Sequence, residues 1–344
     1  MQSYIKSNLV RKSELMHRWL QEQWAIFSYW HMVLLPISWL FGLITSLRRF
    51  FYKVHLLKSY RLAVPVIVVG NINVGGTGKT PLVIWLAEQL KIAGYSPGII
   101  SRGYGGMAGD AVHVSVSQNP ALVGDEPVLI ANRTHCPVFV SPNRIQAGQS
   151  LLQQFPTCNV IISDDGLQHY RMQRDVEIVV YDATMAFGNG ALLPAGPLRE
   201  TRSRLSTVDV VVSNGLSEYE PIVKNAFSMQ LVADSFYNLS QPLQKASAAD
   251  FSGKKIFAIA GIGNPQRFFN QLEQLGLQFE SRAFIDHYQY QPEDFAEIDA
   301  DIVLMTEKDA VKCKCFARDN FWVLPVHAMF KDNLMPTILN KLNK

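Results

Sequence analysis

Apolar and polar positions along the chain follow two kinds of pattern. The segment VPVIVVG (64–70) is a continuous β-branched run, which is typical of a buried parallel strand. After it, Leu82, Leu86 and Leu90 recur every fourth residue and the repeat stops at Gly94, which predicts a helix that ends at a glycine. Further apolar runs lie at 97–100, 137–140, 159–163, 176–182 and 208–213. Strands that alternate with helical segments predict an α/β fold built on a parallel sheet.

A second group of apolar runs lies at 254–269, 301–312 and 320–326. Because 344 residues are many for a single core, these runs predict a second, smaller α/β domain. The predicted division is an N-terminal segment at 1–61, a core domain at 62–228 and a smaller domain at 229–328. A C-terminal helix within 329–344 is a candidate to pack back on the core domain.

The loop between the first strand and the first helix of the core reads NINVGGTGKTPL (71–82). A strand, a glycine-rich loop and a helix in this order are the setting of a phosphate-binding P-loop, so we predict a P-loop NTPase-type core domain. Main-chain amides and the helix N-terminus would face phosphate oxygens, Lys79 would reach the β- and γ-phosphates, and the Thr80 hydroxyl would bind Mg²⁺. The predicted ATP-binding residues are Asn73, Val74, Gly75, Gly76, Thr77, Gly78, Lys79 and Thr80.

One position departs from the strict P-loop pattern, because Asn73 stands where the first glycine belongs. Asparagine tolerates left-handed backbone geometry better than most residues, so the departure is compatible with the loop. An ordinary glycine-rich turn between a strand and a helix remains the alternative.

Two pairs of acidic residues lie next to predicted elements of the core. Asp164 and Asp165 end the apolar strand NVIIS, where parallel sheets place their ligands, and they predict a Mg²⁺ site of the Walker B type. Opening a turn is the other role such a pair can have. Asp125 and Glu126 precede the apolar segment PVLIA, and residues alone leave a helix cap and a functional site equally open.

Charge is concentrated at the N-terminal end of the chain. Residues 1–61 contain nine Lys or Arg against Glu14 and Glu22, although the whole chain has a net charge of only +3. Such a basic end predicts an acidic partner, either nucleic acid or an anionic membrane. The four cysteines form no CxxC pair, and a reduced cytosolic compartment is the simplest expectation.

The apolar content of this end favours the membrane. Residues 24–47 include no Asp, Glu, Lys or Arg, and 17 of these 24 residues are apolar. Basic residues flank the run, Pro36 lies in its middle, and Trp24, Trp30 and Trp39 are spread along it. These features predict a helix that lies on the cytoplasmic face of a membrane. A buried core helix is the alternative, and no nucleic-acid partner is expected.

Eight segments resemble one known family, and they lie in the family's order. They read GNINVGGTGKTP, SRGYGG, GDEP, SDDGLQH, LLPAGPLRE, AGIGNPQRFF, DHYQY and TEKDAVK. The chain is similar from about residue 30 onward to tetraacyldisaccharide 4′-kinase, the lipid A 4′-kinase of Gram-negative bacteria. The family also begins with a membrane-associated helix and has Asn or another small polar residue at the position of Asn73. One departure is RETRSR (199–204), where the family usually has proline after the glutamate.

The resemblance implies a kinase that transfers the γ-phosphate of ATP to the 4′-hydroxyl of a tetraacyldisaccharide 1-phosphate, which gives lipid IVA. It implies Asp125 as the general base with His287 as its partner, so the site would be complete only when the two domains close. Asp164, Asp165 and Glu126 would serve Mg²⁺. The implied contacts to the lipid are Arg102, Tyr104, Arg144, His169 and Arg199. The protein would act as a monomer on the anionic lipid surface of the bacterial inner membrane.

Three other classes of protein share some of these features. A membrane-associated P-loop ATPase without a lipid acceptor would share the loop and the N-terminal helix, but an ABC-type member should show an LSGGQ-like segment, which the sequence lacks. A GTP-dependent switch would need an NKxD motif, and TEKD is a poor substitute. A lipid-binding module would not explain Lys79 and Thr80 together with the paired aspartates.

Overall fold

The computed structural model describes residues 23–24, 26–103, 110–215 and 223–343. Its first long element is helix α1 (Tyr29–Lys53), and two sheets with their helices follow. The α/β prediction is confirmed: the first sheet has nine strands and the second has six among the described residues.

The first sheet carries the elements of the core. Its strands are β1 (Val66–Gly70), β2 (Pro97–Ser101), β3 (Val112–His113), β4 (Val138–Val140), β5 (Val160–Asp164), β6 (Val176–Asp182), β7 (Val210–Asn214), β8 (Phe227–Val232) and β15 (His327–Phe330). They lie in the order β15-β8-β7-β6-β1-β5-β2-β4-β3. The strands from β8 to β4 are parallel, whereas β15 and β3 pair antiparallel at the two edges.

Five helices among the described residues cover this sheet. They are α2 (Lys79–Ile92), α3 (Pro120–Val123), α4 (Asp125–Thr134), α5 (Arg144–Gln154) and the C-terminal α8 (Met335–Leu342). Leu82, Leu86 and Leu90 of α2 are buried on the sheet. Met335 and Ile338 join the same hydrophobic core, so α8 packs on the core. The five strands predicted between 97 and 213 lie within about two residues of their expected places.

The second unit has its own sheet, which spans residues 236–324. Its strands are β9 (Phe236–Asn238), β10 (Lys245–Ala246), β11 (Ile256–Ala260), β12 (Glu280–Ala283), β13 (Ile302–Thr306) and β14 (Phe321–Leu324), in the order β10-β9-β14-β13-β11-β12. Its helices are α6 (Pro265–Gln274) and α7 (Glu307–Cys313), with short 3₁₀ turns at Arg202–Ser206 in the core and at Ala248–Phe251, Pro292–Phe295 and Lys314–Phe316 in the second unit.

The expected division at 228/229 falls inside β8, and residues 327–330 form β15 in the first sheet. The chain therefore leaves the first sheet after β8, builds the second unit and returns to pair β15 with β8 in antiparallel register. The physical reason is that β8 lies beside β7 and needs a partner on its other edge. We describe the second unit by the residues of its own sheet.

Helix α1 is exposed on one side and docked on the other. His31, Ser38 and Gly42 are its buried residues, and their spacing puts them on one face. Ser38 Oγ accepts a hydrogen bond from the amide of Ala195 at 3.0 Å, and a Cβ on Gly42 would lie 2.5 Å from Leu192. This face rests on the Gly- and Pro-rich loop at 188–200.

The other side of α1 argues against a buried core helix. Trp39, Leu40, Leu43 and Ile44 are all more than half exposed. Of the described helices, α1 is the one whose length and composition would let it cross a membrane. Pro36 lies inside this helix, which is continuous from Tyr29 to Lys53.

Candidate active site

The glycine-rich loop 71–78 connects β1 to the N-terminus of α2. Gly75 and Gly78 have φ angles of 111° and 90°, and residues that have a Cβ rarely adopt such angles. A Cβ on Gly78 would lie 2.2 Å from Asn214 Nδ2, and that amide donates to the carbonyl of Thr77 at 3.0 Å. The loop is thus held against the end of β7, in the kind of glycine-rich turn at a helix N-terminus whose main-chain N–H groups bind phosphate.

Asn73 has a structural role at the rim of this loop. Its φ is not positive, so the tolerance of asparagine for left-handed geometry does not explain the residue. Asn73 Nδ2 donates instead to the carbonyl of Ala186 at 2.6 Å. The main chain of Asn73 also forms a bridge with Leu198. The side chain in place of the first glycine therefore ties the phosphate loop to the loop that supports α1.

Two aspartates lie beside the phosphate loop. Asp164 ends β5, and the register of β5 with β1 places it opposite Val69. Asp165 Oδ1 lies 3.5 Å from Lys79 Nζ. Burial, with the charges of Glu126 and Asp165, raises the pKa of Asp164 to about 7 despite Lys79 and Arg144. Burial also acts to raise the pKa of Asp165, but Lys79 and Arg199 outweigh it and lower that pKa.

These carboxylates fit a divalent cation. Asp164 Oδ1 is buried and has no hydrogen-bond partner among the described residues, and Asp165 Oδ1 is buried with the Lys79 ammonium 3.5 Å away. The raised pKa of the buried Asp164 carboxyl means that the positive charge around it does not fully compensate its ionised form. Clusters of three or more His, Cys, Asp or Glu suited to a metal are absent from the described residues. Mg²⁺ does not need one, since it is usually held by one or two carboxylates together with substrate phosphates.

Asp125 and His287 meet across the two units. Asp125 begins α4 on the core and is 4% exposed. His287 Nδ1 lies 2.9 Å from its Oδ1 and 3.1 Å from its Oδ2. The N-cap of α4 is Gly124 rather than Asp125, although Asp125 Oδ1 also accepts from the amide of Glu126 at 2.9 Å.

The charges of this pair support each other. Burial acts to raise the pKa of Asp125, but the hydrogen bond from His287 and the positive charges of Lys308, His287 and Lys312 lower it to about 2. The hydrogen bond to Asp125 in turn raises the pKa of His287 against the effect of burial. The carboxylate is therefore charged at neutral pH and aligned by an imidazole from the second unit.

A cavity of about 500 Å³ lies beside Asp165 and under α1. Four of the residues expected to contact the lipid line it, namely Arg102, Arg144, His169 and Arg199, and Phe41, Thr45 and Arg48 of α1 line it as well. Tyr104, the fifth expected contact, lies outside the described residues. Arg199 Nη1 is 3.5 Å from Asp165 Oδ2, which links the cavity to the carboxylates by the phosphate loop.

Two of these side chains have environments that limit their roles. Arg144 is 3% exposed, and its Nη2 donates to the carbonyls of Asp164 and Asp165 at 3.2 and 3.3 Å. It therefore supports the turn that carries the aspartates. Burial, followed by the charges of Arg144 and Arg174, lowers the pKa of His169 to about 4, so its imidazole is neutral at pH 7.

Several residues of this region were missed from the sequence. Tyr170 OH and Gln168 Nε2 donate to the buried carboxylate of Glu200 at 2.5 and 2.8 Å, and all three residues line the cavity. Lys308 contacts Glu126, and Lys312 lies 4.0 Å from Asp125. The i, i+4 spacing of the two lysines in TEKDAVK was a signal that both lie on one helix face.

A P-loop beside paired aspartates, with a carboxylate and an imidazole joined across two α/β units, defines a P-loop phosphotransferase. The family model of tetraacyldisaccharide-1-P 4′-kinase matches residues 30–343. The chain belongs to this family.

Relatives over nearly the whole chain agree with this assignment. The chain is 51% identical over 327 residues to the tetraacyldisaccharide 4′-kinase of Methylobacillus flagellatus, covering 95% of this chain and 96% of that protein. It is 47% identical over 333 residues to the protein of that name from Pasteurella multocida, covering 96% and 98%. The crystal structure of the "apo" form of LpxK from Aquifex aeolicus in complex with ATP is similar, with a TM-score of 0.77 and 30% identity over 91% of this chain and 99% of that chain.

Proposed function

We propose that this protein transfers the γ-phosphate of ATP to the 4′-hydroxyl of a tetraacyldisaccharide 1-phosphate and so forms lipid IVA in lipid A biosynthesis. The observation that carries the proposal is the Asp125–His287 pair, held at 2.9 Å across the two units of a chain that matches a lipid kinase family from residue 30 to 343. A P-loop ATPase without an acceptor also needs a residue that positions its attacking water, so it is the family match that favours a lipid acceptor.

The phosphate loop would hold ATP. Amides of residues 73–78 and the N-terminus of α2 would contact the phosphates, and the Lys79 ammonium would exchange Asp165 for the β- and γ-phosphate oxygens. Thr80, Asp164 and Asp165 are the residues that would hold Mg²⁺, with Glu126 as a further candidate. When bound, the metal supplies positive charge that neutralises the phosphate oxygens of the transferring group.

Transfer itself would use the pair across the units. The 4′-oxygen forms its bond to the γ-phosphorus while the bond from that phosphorus to the bridging oxygen of ADP breaks, and the hydroxyl proton passes to the Asp125 carboxylate. Phosphoryl transfer passes through a loose transition state, and the hydroxyl becomes acidic as its oxygen forms the new bond to phosphorus. A carboxylate of low pKa can therefore accept the proton. His287 fixes the carboxylate in position, and the second unit excludes water that would otherwise hydrolyse ATP.

The lipid would enter from the membrane side. Phe41 and Thr45 of α1 line the cavity, while the opposite side of the helix is apolar and exposed. This arrangement supports a peripheral protein on the cytoplasmic face of the inner membrane, with α1 among the anionic lipids. Arg102, His169 and Arg199 would contact the sugar or its phosphate, with Arg144 behind them, since all four line the cavity. We propose that the protein acts as a monomer and that nucleic acid is not a partner.

The test is a transfer assay with labelled ATP and the tetraacyldisaccharide lipid, followed by chromatography of the lipid. Label should appear on the glycolipid with the wild-type protein, and Lys79→Ala should reduce transfer at least about 100-fold because one charged contact to the transition state is lost. Label released only as inorganic phosphate would favour the membrane-associated ATPase instead. Undiminished transfer by Lys79→Ala would mean that the loop does not hold the triphosphate.

A further inference from the structure

Among the described residues, three ion pairs join helix α4 of the core to helix α7 of the second unit. One is the 4.0 Å contact of Lys312 with Asp125, and the other two hold the first turn of α7. Near the end of α4, Arg133 Nη1 lies 2.6 Å from Glu307 Oε1. Near its start, Lys308 Nζ lies 3.1 Å from Glu126 Oε1. Glu126 and Arg133 are seven residues apart, so they lie on the same face of α4. The first turn of α7 is thus attached to the core at two points.

The Lys308 ammonium also reaches the loop that carries His287. Lys308 Nζ lies 2.9 Å from Asp286 Oδ1, so one ammonium joins a carboxylate of the core to a carboxylate of the second unit. Glu126 directly follows Asp125 in the chain, and Asp286 directly precedes His287. Lys308 therefore connects the two residues that flank the base and its partner.

The lysine of this connection is largely shielded from water, whereas its two carboxylate partners are about one third exposed. The side chain of Lys308 is 15% exposed, and those of Glu126 and Asp286 are 30% and 35% exposed. Burial acts to lower the pKa of Lys308, but the carboxylates of Glu126, Asp125 and Asp286 raise it. The ammonium is therefore charged throughout the physiological pH range and holds both carboxylates.

The backbone at His287 needs such support. His287 has a φ of 61°, an uncommon conformation for a residue with a side chain. Asp286 Oδ1, the atom bound by Lys308, also accepts the amide of His287 at 3.1 Å. The chain of contacts from Glu126 through Lys308 and Asp286 thus ends on the main chain of His287.

We propose that Lys308 is a positioning residue that fixes the distance between Asp125 and His287 by joining Glu126 to Asp286. The proposal rests on the phosphotransfer function given above. It assigns Lys308 no contact with the transferring phosphate. Its role is distinct from that of Arg133, whose ion pair joins the same two helices but ends on Glu307, away from the base and its partner.

The first test is kinetic and uses the full-length protein with its lipid. Lys308→Met should lower kcat about 10- to 100-fold, since a misplacement of about 1 Å at a reacting group has this effect. The KM for ATP and for the lipid should stay within about threefold, because no binding contact is removed. Lys308→Arg should recover activity to within about tenfold of wild type, because a guanidinium can contact both carboxylates.

Two variants separate positioning from simple attachment of the units. Arg133→Met breaks the Arg133–Glu307 ion pair between α4 and α7 and should leave kcat within about threefold even where it lowers the melting temperature. Asp286→Asn keeps the acceptor for the His287 amide but weakens the link to Lys308 and the 3.8 Å contact of Asp286 Oδ2 with His287 Nε2. It should lower kcat at least as much as Lys308→Met does, and the double variant should be no worse than Asp286→Asn alone.

The second test needs no substrate. Amide hydrogen exchange at 285–290 should be faster in Lys308→Met than in wild type and unchanged in Lys255→Met, which breaks an exposed ion pair of the same unit. A rise in the KM for ATP with unchanged kcat would overturn the proposal, as would equal kcat losses in Lys308→Met and Arg133→Met. Independent, multiplying effects of Asp286→Asn and Lys308→Met would also overturn it. A wild-type protein that makes no lipid product would refute the function instead, and the exchange measurement would still decide whether Lys308 orders this loop.

Discussion

A change of Asp125 to asparagine keeps the size of the side chain and removes its charge. The amide oxygen can still accept the bond that the Glu126 main-chain amide gives to Asp125 Oδ1, so the start of α4 should be preserved. What the variant loses is the carboxylate that would accept the proton of the sugar hydroxyl. A positioned general base contributes about 10²- to 10⁴-fold to a rate, which is about 2.7–5.4 kcal/mol of activation free energy. We therefore expect kcat to fall by that factor, with the KM for ATP within about threefold of wild type.

The same substitution should have a pH-dependent effect on stability. Asp125 has its pKa lowered from 3.8 to about 2 in the folded protein, so its charge stabilises the fold by about 2 kcal/mol where the group is ionised in both states. Because the folded pKa is the lower one, this contribution is present above about pH 4 and is lost as the pH falls through about 2. The variant should be less stable by that amount at pH 7, and the difference should shrink in acid.

Chemical denaturation from pH 7 to pH 2 and steady-state phosphorylation of the lipid measure the two effects. Asp299→Asn is the matched control, because Asp299 pairs with Lys255 on an exposed surface of the second unit, and it should change neither quantity. If Asp125→Asn weakens ATP binding as much as turnover, Asp125 binds nucleotide or metal and is not the base. If the stability difference does not depend on pH, the charge of Asp125 is not what stabilises the closed arrangement.

Two further predictions concern the metal and the membrane. The pKa of Asp164 is raised to about 7, and Mg²⁺ requires the ionised group. The apparent Mg²⁺ affinity in the presence of nucleotide should therefore rise between pH 6 and 7.5 and then level off. Mg²⁺ titration of activity or of fluorescent nucleotide binding measures this affinity, and a flat profile would exclude Asp164 as a ligand. On α1, Leu40→Asp with Leu43→Asp should reduce sedimentation with anionic vesicles at least about tenfold, since each charge placed among lipids costs about 2.5 kcal/mol or more. The control variant Leu243→Asp, at a residue 97% exposed in the second unit, should not reduce it. Equal binding by the double variant and the control would place the membrane contact elsewhere.

The core sheet could be predicted from the chain because its parallel strands are buried on both faces. The run 176–182 was placed without error, and the strand ending in Asp164 was one residue off. The edge strands β8 and β15 were not predicted. They alternate buried and exposed positions only weakly and pair with each other across about 100 residues of chain. Nothing local in the sequence marks such a pairing.

The candidate site divides in the same way between local and distant information. The phosphate loop and Asp164 could be placed from the chain alone, because the chemistry of each lies in one short segment beside a strand. Asp125 and His287 are 162 residues apart, and only the family resemblance joined them. Arg144 shows the opposite limit: the resemblance implied a contact to the lipid, but its burial under the aspartate turn is visible only in three dimensions.

The pKa values of two carboxylates of the site are shifted in opposite directions, and the difference follows from where their partners come from. Asp164 is surrounded by groups of the core, and burial there, followed by the charges of Glu126 and Asp165, raises its pKa, so the core by itself is suited to bind a cation. Asp125 is also on the core, but His287, Lys308 and Lys312, which keep it charged, all come from the second unit. Separation of the units would therefore leave the phosphate loop and the metal carboxylates intact while removing what holds the base ionised and aligned. Nucleotide binding should depend on the core, and transfer to the lipid should depend on contact between the two units.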